Sequence, residues 1–308
     1  MIRINQIKLD IGTDEKILDS KIQKLLRLKN SSFTYSIVKK SIDARKKEHI
    51  MYIYSVDVKV DGIDETALVR KLNNKDIIIN KNIKYVFPQI KDTHKNKKIA
   101  IIGSGPAGLF CGLLLARAGF KPVIYERGGN VHERTGIVNA FFETGVLDTE
   151  TNIQFGEGGA GTFSDGKLNS VIKEKDGRIR KVLETFVEFG ANPEILYVNK
   201  PHVGTDVLSV VVSNIRNEII RLGGKVNFNS KVTDIYIDTG KITGIRVNDE
   251  YDEEFNAIVL APGHSARDTF EMLLKKGVEM EKKSFAVGMR IEHNQSLINN
   301  FAYGRDDN

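Results

Sequence analysis

KKIAIIGSGPAGLFCGLLLARAGFKPVIYER, residues 97–127, holds in order a short apolar strand, a glycine turn, an apolar helix and a second strand. Residues 99–102 are apolar on both faces, as a strand covered on both sides requires. Gly103, Gly105 and Gly108 give the G-x-G-x-x-G spacing, and residues 106–118, beginning with Pro106 and Ala107, read as a helix. Gly103 permits the tight turn, Gly105 lets the backbone approach a pyrophosphate, and Gly108 lets helix and sheet pack closely. The helix N-terminus turns N–H groups and partial positive charge toward the phosphates. Glu126, 23 residues after Gly103, ends the second strand. It is placed to accept hydrogen bonds from an adenosine ribose, and its charge argues against a 2′-phosphate and so against NADP here. Strand, turn, helix and acid together are the first β-α-β unit of a dinucleotide-binding fold.

The 308 residues suffice for two domains. No apolar run approaches the length of a membrane span, and MIRINQIKLD alternates like a strand without the apolar core of a signal peptide. A cytoplasmic protein with no membrane association is the expectation. The single cysteine, Cys111, lies among apolar residues of the helix, where a small buried hydrophobe is the expected role. One cysteine excludes a C-x-x-C redox disulfide within the chain, and nothing suggests a metal site. The net charge of +6 is uneven. Residues 1–98 carry 22 Lys+Arg against 12 Asp+Glu, a balance of +10, which leaves 24 against 28, or −4, for residues 99–308.

Residues 1–92 read as strand (2–9), helix (15–28), strands (33–43 and 50–60), helix (65–72) and strand (77–87), the order of a ferredoxin-like α+β domain. Residues 93–98 read as a linker. Residues 99–283 read as an α/β, Rossmann-like FAD-binding domain with a parallel sheet and a β-meander. Within it, helices are expected at 176–189, at 206–222 with Thr205 as N-cap, and at 266–276. Strands are expected at 194–198, 225–238, 241–247 and 257–261. Residues 285–291 alternate again, and 284–308 read as the start of an incomplete substrate domain.

Two further loops carry chemistry. GEGGAGTFSDGKL, residues 156–168, presents a density of backbone N–H groups suited to a second cradle for the same ligand. It fits the first part of a P-loop, but Leu168 replaces the hydroxyl that binds magnesium and no apolar strand leads into it, so ATPase chemistry is set aside. APGHSARDTF, residues 261–270, crowds His264, Ser265 and Asp268 into five positions, poorly spaced for a Ser-His-Asp relay; Ser265 and Asp268 fit a capping box instead. His202 in KPHVGTD reads as structural.

These elements resemble the glutathione-reductase-like FAD flavoproteins, and more narrowly the bacterial FAD-dependent, or NAD(FAD)-utilising, dehydrogenases. The matching strings are KSIDARKK (40–47), IIGSGPAGLF (101–110), NIQFGEGGAGTFSDGKL (152–168), KPHVGTD (200–206), GHSARDTF (263–270) and FAVGMRIEH (285–293). The resemblance implies FAD at the first site. Glu126 then holds the ribose, and Arg127 and Arg134 lie near the nucleotide. Gly158, Gly159, Ala160, Gly161 and Thr162 approach the pyrophosphate or isoalloxazine. Val232 meets the adenine through its backbone, and Ala261, Pro262 and Gly263 line the cofactor. The family's further glycine-rich motif near the C-terminus is not found here, which implies a truncated chain that binds FAD weakly on its own.

The function expected is an FAD-dependent oxidoreductase, a dehydrogenase with NAD(P)H as electron donor and a small-molecule substrate left unnamed. No residue stands out as catalytic; Arg290, Glu292 and His293 are candidates on the substrate side, set against a plain alternating strand. Two alternatives stay open. Lys39, Lys40, Arg45, Lys46 and Lys47, with Tyr52 and Tyr54, make an RNA-directed flavoprotein conceivable, set against a solvated hairpin tip. A redox-inactive FAD scaffold is the other.

Overall fold

Residues 1–306, other than Asn30, Asn82, Lys95, Asp165, 169–171, Lys173 and Arg290, are described by a computed structural model. The N-terminal unit runs β1 (Ile2–Asp10), α1 (Ile17–Leu26), β2 (Phe33–Asp43), β3 (Met51–Val60), α2 (Glu65–Leu72) and β4 (Ile77–Ile79). Its strands pair antiparallel in the order β2-β3-β1-β4, the ferredoxin-like arrangement. Leu18, Ile22 and Leu26, one helical turn apart, bury one side of α1 against Ile2, Ile4, Ile7 and Leu9. Strict alternation would turn Ile7 and Leu9 to the opposite face from Ile2 and Ile4. A bulge between Ile4 and Ile7, with Gln6 at φ 59°, inserts the extra residue that keeps all four inside.

The second unit contains β5 (Ile99–Ile102), α3 (Pro106–Arg117), β6 (Val123–Tyr125), α4 (Val131–Thr144), α5 (Arg178–Glu188), α6 (Thr205–Arg221) and β7 (Lys225–Asn227). It continues with β8 (Val232–Asp238), β9 (Lys241–Val247), β10 (Tyr251–Glu254), β11 (Ala257–Leu260), α7 (Arg267–Lys275) and α8 (Gln295–Tyr303). Four strands form a parallel sheet ordered β11-β5-β6-β7, and β10-β9-β8 form an antiparallel meander. Ile101 and Ile124 face α3 and α6 through Leu109, Leu113, Ile215 and Ile219. Ala100, Ile102 and Tyr125 face the meander and α7 through Ile235, Ile245, Val247 and Leu273. Both faces of the parallel sheet are covered around β5, β6 and β11, which is why these three strands are apolar throughout, whereas the outer strand β7 carries Lys225 and Asn227.

Several local expectations change. The strand expected over 225–238 is two strands in different sheets. Asn227 O accepts from Glu126 N–H at 2.9 Å, and Ser230 N–H donates to Glu126 O at 2.8 Å, so the chain bends around the end of β6. Residues 194–198 are not a strand: Asn192 caps a 3₁₀ turn, Pro193–Leu196, with Pro193 in its first turn. β4 stops at Ile79, where its antiparallel partner β1 begins; Asn80 N–H donates to Met1 O at 3.0 Å. Gly204, not Thr205, is the N-cap of α6. Among the described residues of 285–291 there is no strand; Phe285, Val287, Met289 and Ile291 are strongly exposed, and Arg290 lies outside the described residues. Among the described residues, no helix is long and apolar enough to cross a membrane.

Candidate cofactor site

β5 delivers the chain to the first glycine turn at the carboxyl end of the parallel sheet, between β6 and β11. The three glycines of that turn have different physical reasons. Gly103 has φ +101°, and a Cβ there would lie 2.2 Å from Ala261 O. A Cβ at Gly108 would lie 1.9 Å from Gly103 O. Both are required by the protein's own packing. Gly105 is the N-cap of α3 with an ordinary φ of −68°, and its Cβ would meet nothing closer than Gly159 Cα at 3.9 Å. Packing therefore does not demand glycine at 105, and the space that a Cβ would enter is open to a group bound between the two turns. No side chain caps the first turn of α3, which leaves its N–H groups to a ligand.

The second turn, at Gly156–Gly159, is held from behind. Arg134, on α4, is fully buried. It donates through Nε to Asn152 O (2.8 Å), through Nη1 to Glu157 O (2.8 Å) and Gly159 O (2.7 Å), and through Nη2 to Ile153 O (2.8 Å). Its guanidinium stacks on Phe163 at 4.7 Å. Burial pulls its pKa down to about 10 against the opposing pull of Glu126 and Glu157. Gly156, at φ +115°, is forced by this residue, because a Cβ would lie 2.5 Å from Arg134 Cδ. Glu157 is also buried; it accepts from Val131 N–H at 2.9 Å and pairs with Arg216 at 3.0 Å. Burial pushes its pKa up.

Between the turns lies a cavity of about 220 Å³. Of the residues expected at the cofactor, Gly103, Gly105, Pro106, Ala107, Glu126, Arg127, Gly159, Ala160, Val232, Ala261, Pro262 and Gly263 line it. Gly108, Arg134, Gly158, Gly161 and Thr162 do not. Arg134 stands behind the loop rather than beside a ligand, and Gly108 serves packing between helix and turn. Ile102, Tyr125, Gln154, Phe155 and Ser230 line the cavity outside the expected loops, and Gly156, His264, Ser265 and Thr269 line it from within the two loops at 156–168 and 261–270. Gln154 and Phe155 directly precede the second glycine loop, which is a local signal for them, whereas Ser230 has none.

Glu126 is almost completely buried and its acceptors are engaged. Oε2 takes Ser104 N–H (2.7 Å) and Ser104 Oγ–H (2.9 Å); Oε1 takes Gly128 N–H (3.1 Å) and Gly156 N–H (3.0 Å). A carboxylate offers about four acceptor positions, so a ribose hydroxyl must displace one donor, and the rotatable Ser104 hydroxyl is the easiest. Arg127 stacks on Phe155 at 4.3 Å and donates to Asp268 at 2.8 Å. Asp268 also receives Lys231 at 2.7 Å. Burial works against the Asp268 carboxylate, but the Arg127 and Lys231 bonds outweigh it and hold its pKa well below the usual carboxylate range. That pairing removes the expected capping box. Ser265 Oγ–H donates to Gln154 Oε1 at 2.9 Å, and Ala266 is the N-cap of α7. His264 Nε2 lies 3.3 Å from Ser265 Oγ, but Asp268 is committed elsewhere, so no Ser-His-Asp relay forms.

Cys111 is half-buried on α3, and burial raises its pKa. No group of three metal-ligating side chains occurs among the described residues. In the basic N-terminal cluster, Lys40 pairs with Glu15 at 2.7 Å and lies over Tyr52 at 4.7 Å. Tyr54 is buried and donates to the same Glu15, and Arg45 pairs with Asp43. Tyr54 and Lys40 are thus engaged within the protein rather than offered to a base.

Residues 97–298 match the family model described as pyridine nucleotide-disulphide oxidoreductase, and residues 1–59 match a domain of unknown function. An uncharacterized protein of Clostridium beijerinckii is 47% identical over 309 residues, covering 100% of this chain and 57% of that protein. This chain thus spans little more than half the length of that relative. The thiamine thiazole synthase of Pyrococcus furiosus is 23% identical over 220 residues, covering 66% of this chain and 71% of that one. Among solved structures, THI4 of Thermovibrio ammonificans matches with a TM-score of 0.37 and 21% identity, over 61% of this chain and 65% of that one. The family is named for a disulphide, but the single cysteine means that no disulfide forms within this chain. The paired glycine turns fit a dinucleotide cofactor through the space at Gly105, and the chain belongs to the pyridine nucleotide-disulphide oxidoreductase family, with FAD as its cofactor.

Proposed function

We propose that this chain is the FAD-binding part of a dehydrogenase in which hydride passes between NAD(P)H and the flavin. FAD, when bound, supplies the redox chemistry; the protein supplies position and electrostatics. Gly103, Gly105 and Ala107 hold the pyrophosphate against the N-terminus of α3. Glu126, Arg127, Ser230 and Val232 take the adenosine end, and Gly159, Ala160, Pro262 and Gly263 take the remainder. Glu126, Arg127 and His264 are the titratable side chains among the described residues of the cavity wall apart from the Tyr125 phenol. Two of them are tied up by protein partners, so this wall orients rather than transfers protons. Residues 284–308 open a substrate domain completed by further polypeptide. The length of the Clostridium beijerinckii relative and the exposed alternation from Phe285 to Ile291 support that reading. A cytoplasmic setting is part of the same proposal.

The observation that carries the reading is the ordinary backbone at Gly105 facing Gly159, with no protein atom that requires a glycine there. The test is the visible absorbance spectrum of the purified chain titrated with FAD, then with NADH and NADPH under exclusion of oxygen. A bound-flavin spectrum bleached by one nicotinamide nucleotide is expected. Bound flavin that neither nucleotide reduces selects the redox-inactive scaffold instead. No binding at saturating FAD rejects the site.

A further inference from the structure

The N-terminal domain contributes no residue to the cavity, yet it is hydrogen-bonded to the segment that supports one wall. β2 is the outer strand of its sheet. Lys40 N–H donates to Tyr197 O at 2.7 Å, and Asn199 N–H donates to Lys40 O at 2.8 Å. Lys40 stands opposite Tyr54 of β3, but both of its backbone groups point outward, so the ladder between β2 and β3 does not depend on them. Its side chain is engaged separately, paired with Glu15 and lying over Tyr52, so the link to residues 197–199 runs through the backbone alone.

From Asn199 the chain runs directly into residues 201–203, which lie alongside 166–168. Leu168 N–H donates to Pro201 O at 2.9 Å and Val203 N–H to Gly166 O at 2.8 Å, with Lys167 and His202 bridged between them. Gly166, at φ +71°, is required there, since a Cβ would lie 2.0 Å from Val203 O. Gly166 N–H donates to Ser164 Oγ at 3.2 Å, and Ser164 N–H to Gly161 O at 3.1 Å. Gly161 belongs to the turn Gly159–Phe163, whose Gly159 and Ala160 line the cavity. A short hydrogen-bonded sequence thus leads from the edge of β2 to the second glycine turn.

We propose that Lys40 is a positioning residue for the cofactor cavity: its backbone braces the second glycine turn, so the N-terminal domain sets the FAD affinity of a site it does not touch. The inference rests on the FAD reading above.

The test uses the full chain and three variants. Lys40→Pro removes the outward N–H while remaining compatible with an edge strand. Asn199→Pro removes the reciprocal donor and leaves the N-terminal sheet intact. Lys40→Met keeps both backbone bonds and deletes the ammonium. FAD affinity is read by flavin fluorescence, and amide exchange is read at Leu168 and Val203. Both proline variants are expected to weaken FAD by about tenfold, the scale of one or two hydrogen bonds, and to speed exchange at the two amides. Lys40→Met is expected to retain the parent affinity. Proline variants that bind like the parent, or a methionine variant as weak as they are, overturn the brace. If the parent chain takes up no FAD, the FAD reading fails on its own. Unchanged exchange at Leu168 and Val203 in the proline variants then overturns the brace.

Discussion

At the residue scale, identical residues in one motif do different work. Gly103→Ala places a Cβ within 2.2 Å of a carbonyl at a left-handed φ, whereas Gly105→Ala makes one ordinary contact. Gly103→Ala should therefore lower the thermal midpoint sharply, and Gly105→Ala should leave it within a degree or two while weakening FAD by about tenfold or more. Melting curves and a flavin titration of the two variants separate these effects. Arg134 shows the opposite relation between motif and contact. It is a buried cation satisfied by backbone carbonyls, and removing it leaves those acceptors unpaired. Arg134→Met should cost about 3 kcal/mol or more in denaturant unfolding. The family resemblance implied a place near the nucleotide. Only the fold shows the guanidinium on the far side of the loop.

At the element scale, the start of α7 is tied to the end of β6 and to the segment before β8 through Asp268, Arg127 and Lys231. The folded state depresses the Asp268 pKa. Its contribution is therefore fully present above the unfolded value of about 4 and is lost as pH falls through the lower folded value. Urea midpoints between neutral and acidic pH should fall less steeply for Asp268→Asn than for the parent chain; equal slopes would show that the cluster adds nothing. The same cluster explains why the Ser-x-x-Asp pattern did not become a capping box. A local pattern offers a hydrogen bond, and two cations brought from elsewhere in the chain offered Asp268 stronger ones. The strand expected over 225–238 failed for a related reason, since the backbone of Glu126 and Gly128 captures the middle of that segment.

At the scale of the whole molecule, the parallel sheet and meander cover each other, and the ferredoxin-like unit docks by its outer strand. Phe285, Val287, Met289 and Ile291 remain uncovered. Exposed apolar side chains in such a run promote association. Replacing Phe285, Val287 and Ile291 together by Ser is expected to lower light scattering at high protein concentration without changing FAD affinity, and equal scattering by parent and variant would show that this run drives no association. The β-α-β unit, its glycine turn and the acid at its end were legible from residues 97–127 because each depends on neighbours a few positions away. The ferredoxin-like order was legible for the same reason, through periodicity within each element. The cavity wall from Gln154, Ser230 and Ser265, the engagement of Glu126 and the place of Arg134 were decided by tertiary structure. They depend on which carbonyls, cations and turns meet across long stretches of chain, and no local spacing encodes those meetings.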